Sequence, residues 1–152
     1  MHVKAIDHFN VEARKAFAAI CNHFGLMEEN IIPTDTDNLF QITFSNGKIR
    51  IVLKGINWGM NTELHVGINK KGRELYSIRQ LMRDRKSEVH VHGNQIEQIY
   101  DYAHFLMAHA VDILQGDTTF FEQQEALKET EKEKARKTIE AESARKDRKS
   151  VV

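Results

Sequence analysis

The chain has 152 residues, a length that suits one domain with an appendage. Lys plus Arg total 22 and Asp plus Glu total 22, so the formal net charge is zero, which argues against a general binder of nucleic acid or anionic membrane. Cys21 is the only cysteine and excludes an intrachain disulfide, Met1-His2-Val3-Lys4 does not read as a secretory leader, and no apolar run approaches the ~18 residues of a membrane span; together these favour a cytoplasmic setting.

Residues Asn10 to Phe24 read as the first helix, because Ala13, Phe17, Ile20, Cys21 and Phe24 recur at helical spacing on one face. Asp7 or Asn10 is placed to cap its start and Gly25 to stop it. Cys21 lies on the apolar face, where cysteine ordinarily serves as a small core residue. Leu26 to Asn38 then reads as an acidic connection. It carries Glu28, Glu29, Asp35 and Asp37 with no Lys or Arg between them. It is either a solvated loop or an electronegative surface for a basic partner. Pro33, the only proline, holds Ile32 extended.

Leu39 to Ser45 and Lys48 to Lys54 predict a hairpin. Phe40, Ile42 and Phe44 share one parity, as do Ile49, Ile51 and Leu53. Asn46-Gly47 between them predicts a type I′ turn, which needs positive φ at both central residues. A third strand is expected at Thr62 to Ile68, with Leu64, Val66 and Ile68 inward and His65 outward. Trp58, in the link from Gly55 to Asn61, either plugs one end of the sheet or anchors a protein interface. Asn69 to Arg73 turns the chain. Glu74 to Arg85 predicts a short helix, with Leu75, Ile78, Leu81 and Met82 inward and Arg79, Arg83, Arg85 and Lys86 forming a basic face. Glu88 to His92 reads as a short strand or an extended link.

Asn94 to Gln115 carries a regular helical pattern. Asn94 with Glu97 resembles a capping box, and Ile96, Ile99, Ala103, Leu106, Ala110 and Ile113 make the stripe, widened by Tyr100, Met107 and Leu114. Gly116 suits the left-handed end of this helix, and Asp117 the cap of the next. Phe120, Phe121 and Leu127 are the apolar anchors of that next helix. Beyond them the chain is polar on every side, with no heptad pattern of a coiled coil. Glu129–Lys132, Glu131–Lys134, Glu133–Lys137 and Glu142–Lys146 are helix-supporting pairs, each worth roughly 0.2–0.5 kcal/mol. The expected division is therefore a compact domain over residues 1–121 and a charged helical extension over 122–152.

Few residues suggest chemistry. His90 and His92 form an H-x-H pair, whose rings would share one side of a strand; with the outward His65 they make a weak candidate metal site, set against plain surface histidines. His104 and His109 are five apart on one helix and do not chelate one ion. The chain has no nucleophile elbow, Walker motif or G-x-G-x-x-G. Stacking aromatics do not interleave with the basic face, which speaks against nucleic acid. Lys149-Ser-Val-Val152 fits a PDZ-ligand pattern only loosely.

One composite pattern has a family likeness. Trp58-Gly-x-Asn61, Tyr76-Ser-Ile-x-x-Leu81, Gly93-x-Gln-Ile-x-x-Ile-Tyr-x-x-Ala103-x-x-Leu106 and Asp112-Ile-Leu-x-Gly-Asp117 resemble small bacterial immunity proteins of polymorphic and contact-dependent growth-inhibition toxin systems. The resemblance covers about half the chain, from Leu39 to Phe121, and the charged tail is no part of it. It implies a non-enzymatic, cofactor-free inhibitor that binds a cognate toxin domain in the cytoplasm. Glu28, Glu29, Asp35, Asp37 and Trp58 are the candidate contacts by charge and exposure.

The expected architecture is α+β: an antiparallel meander of three or four strands packed against helices, followed by a long charged helix. Two other functions stand beside the immunity reading. One is a regulatory adaptor that holds its partner with the charged helix. The other is a small metal-dependent enzyme built on His65, His90 and His92.

Overall fold

A computed structural model describes the backbone of residues 2–30 and 40–150. The chain forms two compact units, Met1–Asp117 and Thr118–Val152. The first unit is a five-stranded antiparallel sheet with four helices. Its strands are β1 (Met27–Glu28), β2 (Gln41–Ser45), β3 (Ile49–Ile56), β4 (Asn61–Ile68) and β5 (Tyr76–Ser77), which neighbour one another in chain order.

The alternation read from the sequence sets the buried face. Ile42, Phe44, Ile49, Ile51, Leu53, Leu64, Val66 and Ile68 are all buried. Phe44 pairs with Ile51, and Ile51 with Val66, so the inward side chains of three strands form one continuous surface. The two additional strands are only two residues long and lie at the edges. Met27 and Glu28 are both exposed, so alternation gives no sign that they pair with Ser45 and Phe44.

Helix α1 (His2–Phe24) covers this face. It begins at His2 rather than Asn10, because Phe9 is fully buried and carries the apolar stripe a turn upstream of Ala13. Asp7 and Asn10 are thus interior residues and cap nothing. Phe17 stacks on Phe44 at 5.6 Å between centroids, and Phe9 meets Phe40 edge-on at 6.0 Å. The helix ends as expected at Gly25, whose φ of 68° permits the Leu26 N–H to reach back to the Cys21 carbonyl at 3.0 Å.

The β2–β3 hairpin closes differently from the predicted type I′ turn. Neither Asn46 nor Gly47 has the positive φ that turn requires. Instead the Asn46 side-chain oxygen accepts from the Lys48 and Ile49 amides at 2.7 and 2.9 Å, a side-chain mimic of a backbone turn. Its Nδ2 donates to the Phe24 carbonyl at 3.0 Å, and its own carbonyl accepts from Asn69 Nδ2 at 2.7 Å. One asparagine therefore joins the hairpin, the end of α1 and the turn after β4.

After β4 the chain does not enter a helix at Glu74. Tyr76–Ser77 pair with β4, and Ser77 Oγ caps α2 (Ile78–Asp84) by accepting from the Arg79 amide at 3.2 Å. Ile78, Leu81 and Met82 are buried as expected, while Leu75 lies before the helix. Residues Glu88–His92 form neither strand nor helix.

The predicted helix from Asn94 to Gln115 is two helices, α3 (Gln95–His109) and α4 (Val111–Leu114), separated at Ala110 with φ −135° and ψ 28°. Asn94 caps α3, accepting from the Glu97 amide at 2.9 Å. Ile99, Ala103, Leu106, Ala110, Ile113 and Leu114 of the predicted stripe are buried, but the stripe widens to a different side. Tyr100 and Met107 are exposed, whereas Gln95, Gln98, Tyr102 and Phe105 are buried. A polar network accounts for the two glutamines. β5 pairs only with His65 and Val66 of β4, leaving the start of β4 without a strand neighbour on that side. There Gln98 Oε1 accepts from the Thr62 amide at 2.7 Å, Tyr102 donates to the Thr62 carbonyl at 3.0 Å, and Thr62 Oγ1 donates to the Gln95 carbonyl at 2.9 Å. Side chains of α3 thus take the place of the missing strand. Helix α4 ends at Gly116, φ 96°, with Gly116 and Asp117 amides bonded to the Ile113 and Asp112 carbonyls.

In the second unit α5 (Thr119–Ser150) runs 32 residues. Phe120 and Phe121 meet edge to face at its start, but Leu127 is 56% exposed and anchors nothing. Glu129 pairs with Lys132 at 3.8 Å, and Glu133 takes Arg136 rather than Lys137.

The role of Asn46 predicts that Asn46→Ala loses about 2–3 kcal/mol of stability in urea unfolding, roughly 1 kcal/mol for each of three side-chain hydrogen bonds. A loss well below 1 kcal/mol would show that the turn closes without it.

Candidate functional site

Helix α2 sets the site. Arg79 and Arg83 are four residues apart and share a face, and Lys86 follows just beyond the helix end. Lys86 has φ 49°, a left-handed conformation that favours glycine. It completes the same terminal motif as Gly25 and Gly116: the Lys86 and Ser87 amides bond the Arg83 and Met82 carbonyls at 3.2 and 3.0 Å. The chain reverses there, and residues 87–91 become the second wall of an open groove of 770 Å³. Arg79, Met82, Arg83 and Lys86 line one side, and Ser87, Glu88, Val89, His90 and Val91 the other.

The second wall is fastened at both ends. Ser87 Oγ accepts from the Val89 amide at 3.1 Å. At His92 the amide donates to Asp101 Oδ2 at 2.7 Å, the carbonyl accepts from Gln98 Nε2 at 2.9 Å, and the ring Nδ1 lies 2.9 Å from Asp101 Oδ2. The Asp101 hydrogen bond, then the Asp101 and Glu97 charges, raise the His92 pKa. The His90 ring packs edge-on against His92 at 4.9 Å and belongs to the groove wall.

The arginines divide into two groups. Arg14 makes a two-pronged bond to Glu28 at 2.8 and 2.9 Å, and Arg50 pairs with Glu29 at 2.9 Å. Arg85, expected on the basic face, turns away from it. Its two terminal nitrogens bind Asp112 at 2.7 and 2.8 Å, and one also donates to the His109 carbonyl at 2.9 Å. This bond raises the Arg85 pKa and lowers that of Asp112. By contrast Arg83 and Lys86 have no carboxylate partner among the described residues, and Arg79 lies over the Tyr102 ring at 5.7 Å. The unneutralised positive charge of this region therefore faces the groove.

The other candidates stand as follows. Glu28 pairs with Arg14 and Glu29 with Arg50, and the four side chains stay 30–50% accessible. Asp35 and Asp37 lie outside the described residues. Trp58 falls in a single 3-10 turn, Asn57–Gly59; its side chain is likewise outside the described residues. Cys21 is half-buried, and burial together with the nearby Glu28 charge pushes its thiol up to about 11, so it stays protonated at neutral pH. His65 stands on β4 opposite Val52 and Ser77, and the structure does not gather it with His90 and His92. Among the described residues no group of three or more His, Cys, Asp or Glu is arranged to hold a metal ion. Sequence reading did not find His90 as a groove residue or Arg85 as an internal one. The Arg85 partner lies 27 residues away, beyond any local pattern.

Two outcomes follow. Lys86→Gly removes left-handed strain and is expected to stabilise the protein by about 0.5–1 kcal/mol in urea unfolding, whereas Lys86→Ala is not. The folded His92 pKa lies above its ordinary value of 6.5, so its contribution is full below that value and is lost as pH rises through the folded pKa. His92→Gln therefore should lower Tm near pH ~5 and leave it unchanged near pH ~9; the opposite order would contradict the pairing. Comparison with known proteins finds no family model, no curated protein and no solved structure that matches the chain.

Proposed function

We propose that the protein is a non-catalytic, protein-binding inhibitor of the immunity type, which holds one cognate toxin domain in the cytoplasm and blocks its active site or partner surface. The observation that carries this reading is the groove beside α2, where an open surface keeps its cations while Arg14, Arg50 and Arg85 of the same unit are paired internally. Open, charged surfaces on a rigid support suit recognition of a macromolecule, in which charge complementarity sets encounter rate and specificity. The protonated Cys21 thiol supplies no nucleophile. No helix among the described residues is long and apolar enough to cross a membrane, which agrees with a partner met away from the bilayer.

A second reading has its own support. Helix α5 is exposed on every side from Glu129 to Lys146, and Ile139 is 63% exposed, so this helix offers an adaptor surface. Deletion of residues 122–152 separates the two.

Co-expression of the tagged protein with the products of neighbouring genes tests the proposal. The immunity reading predicts that one neighbour is retained at fixed stoichiometry, that its toxicity is suppressed, and that the truncated protein retains it equally well. Retention of no neighbour contradicts the immunity reading, and loss of retention on truncation favours the adaptor.

A further inference from the structure

We infer that the groove between α2 and residues 87–91 is a docking site for an acidic segment of a partner protein, one that carries carboxylates at alternate positions with apolar residues between them. This rests on the protein-binding reading above and adds the site and the chemistry of its ligand.

Three features define that chemistry. First, the cations form a line and not a focus. Arg79 and Arg83 are separated by one helical step of four residues, about 6 Å along the axis, and Lys86 continues the row past the helix end. Side chains on the same side of an extended segment recur every ~6.6–6.8 Å, so successive carboxylates meet successive cations. A lone phosphate would reach neighbouring cations but not span the row. Second, the lining is apolar in part, with Met82 on the α2 wall and Val89 and Val91 on the facing wall. Apolar side chains of a peptide are matched there, whereas a sugar-phosphate backbone is not. Third, Glu88 stands in the lining, and the chain as a whole carries no net charge. A nucleic-acid path would present a continuous basic surface with stacking aromatics. Here the basic lining is interrupted by Glu88, and the His90 ring packs edge-on against His92.

Lys86 adds an independent sign. A left-handed lysine ends α2 where glycine would do so without strain. Strain retained at an exposed residue is accounted for if the side chain contributes to binding.

Fluorescence anisotropy with a labelled synthetic peptide of alternating Glu and Val, against the full-length protein, tests the inference. The control probes are the same peptide with Gln for Glu, a short single-stranded oligonucleotide, and inorganic phosphate as competitor. The Glu peptide is expected to bind best and to weaken with salt. Arg83→Glu combined with Lys86→Glu should reduce affinity by at least roughly tenfold. Lys86→Gly should also reduce it while Tm is unchanged or raised, which separates lost binding from lost folding. Lys70→Glu combined with Lys71→Glu, the same charge change in the turn after β4, should leave affinity unchanged. The inference is overturned by equal binding of the Gln peptide, by tighter binding of the oligonucleotide, by displacement with phosphate beyond that caused by sodium chloride at equal ionic strength, or by an equal loss in the Lys70/Lys71 variant. A neighbour retained in co-expression by the Arg83/Lys86 variant would overturn this site while leaving the immunity reading in place.

Discussion

Much of the first unit depends on where one guanidinium points. Arg85 leaves the end of α2 and binds Asp112 with two nitrogens, and it also satisfies the His109 carbonyl at the junction of α3 and α4. The pair is partly exposed, with 25% and 42% side-chain accessibility, so its direct contribution to stability is modest, on the order of 1 kcal/mol. Its geometric effect is larger. It holds the C-terminal end of α2 against the break at Ala110, and so directs Arg79, Arg83 and Lys86 to the opposite side. The same carboxylate is held low chiefly by the Arg85 hydrogen bond and further by the Ile113 and Asp112 amides, which ties the pair to the start of α4. The ion pair is thus one of the contacts that fix α2 beside the groove, together with the Lys86 turn and the fastening of His92.

A second constraint acts from the sheet. β5 is too short to cover β4, and the buried main chain at Thr62, without a strand neighbour on that side, is satisfied by Gln98 and Tyr102. Gln98 also holds the His92 carbonyl and the Asn61 side chain. One buried glutamine therefore links the sheet edge, α3 and the far end of the groove wall. Satisfied buried polar groups of this kind specify one arrangement, because leaving any partner unpaired is costly. Gly55 belongs to the same junction. A Cβ there would lie 2.5 Å from Gln95 Nε2 and 2.9 Å from Phe40 Cβ, so a larger residue would displace the Gln95 amide and crowd Phe40.

The antiparallel meander, its inward face and the long charged helix were legible in the chain. Alternation in Ile42–Phe44, Ile49–Leu53 and Leu64–Ile68 is a local signal, and so is the scarcity of large apolar residues after Leu127, where only Ile139, Val151 and Val152 occur. Less legible were features that rest on contacts distant in sequence. The burial of Gln95 and Gln98 has no local signal because their partner, Thr62, comes from another element. Ala110 reads as mid-helix because Arg85 is 25 positions upstream and nothing adjacent marks a break. Asn46-Gly47 marked the right hairpin with the wrong turn, since the asparagine side chain replaced the backbone geometry. At the site, Arg79, Arg83 and Lys86 were visible as a basic helix face. The separation of Arg85 from them, and the recruitment of His90, required the tertiary fold.

The partner surface is therefore expected on the basic groove and away from the acidic connection, whose Glu28 and Glu29 already hold Arg14 and Arg50. Backbone amide NMR of the isotopically labelled protein, titrated with the Glu–Val peptide, tests this most directly. The account predicts that shift changes concentrate at residues 79–91 and leave residues 26–30 and α5 unmoved. Changes centred on the acidic connection or on α5, with 79–91 silent, would contradict it.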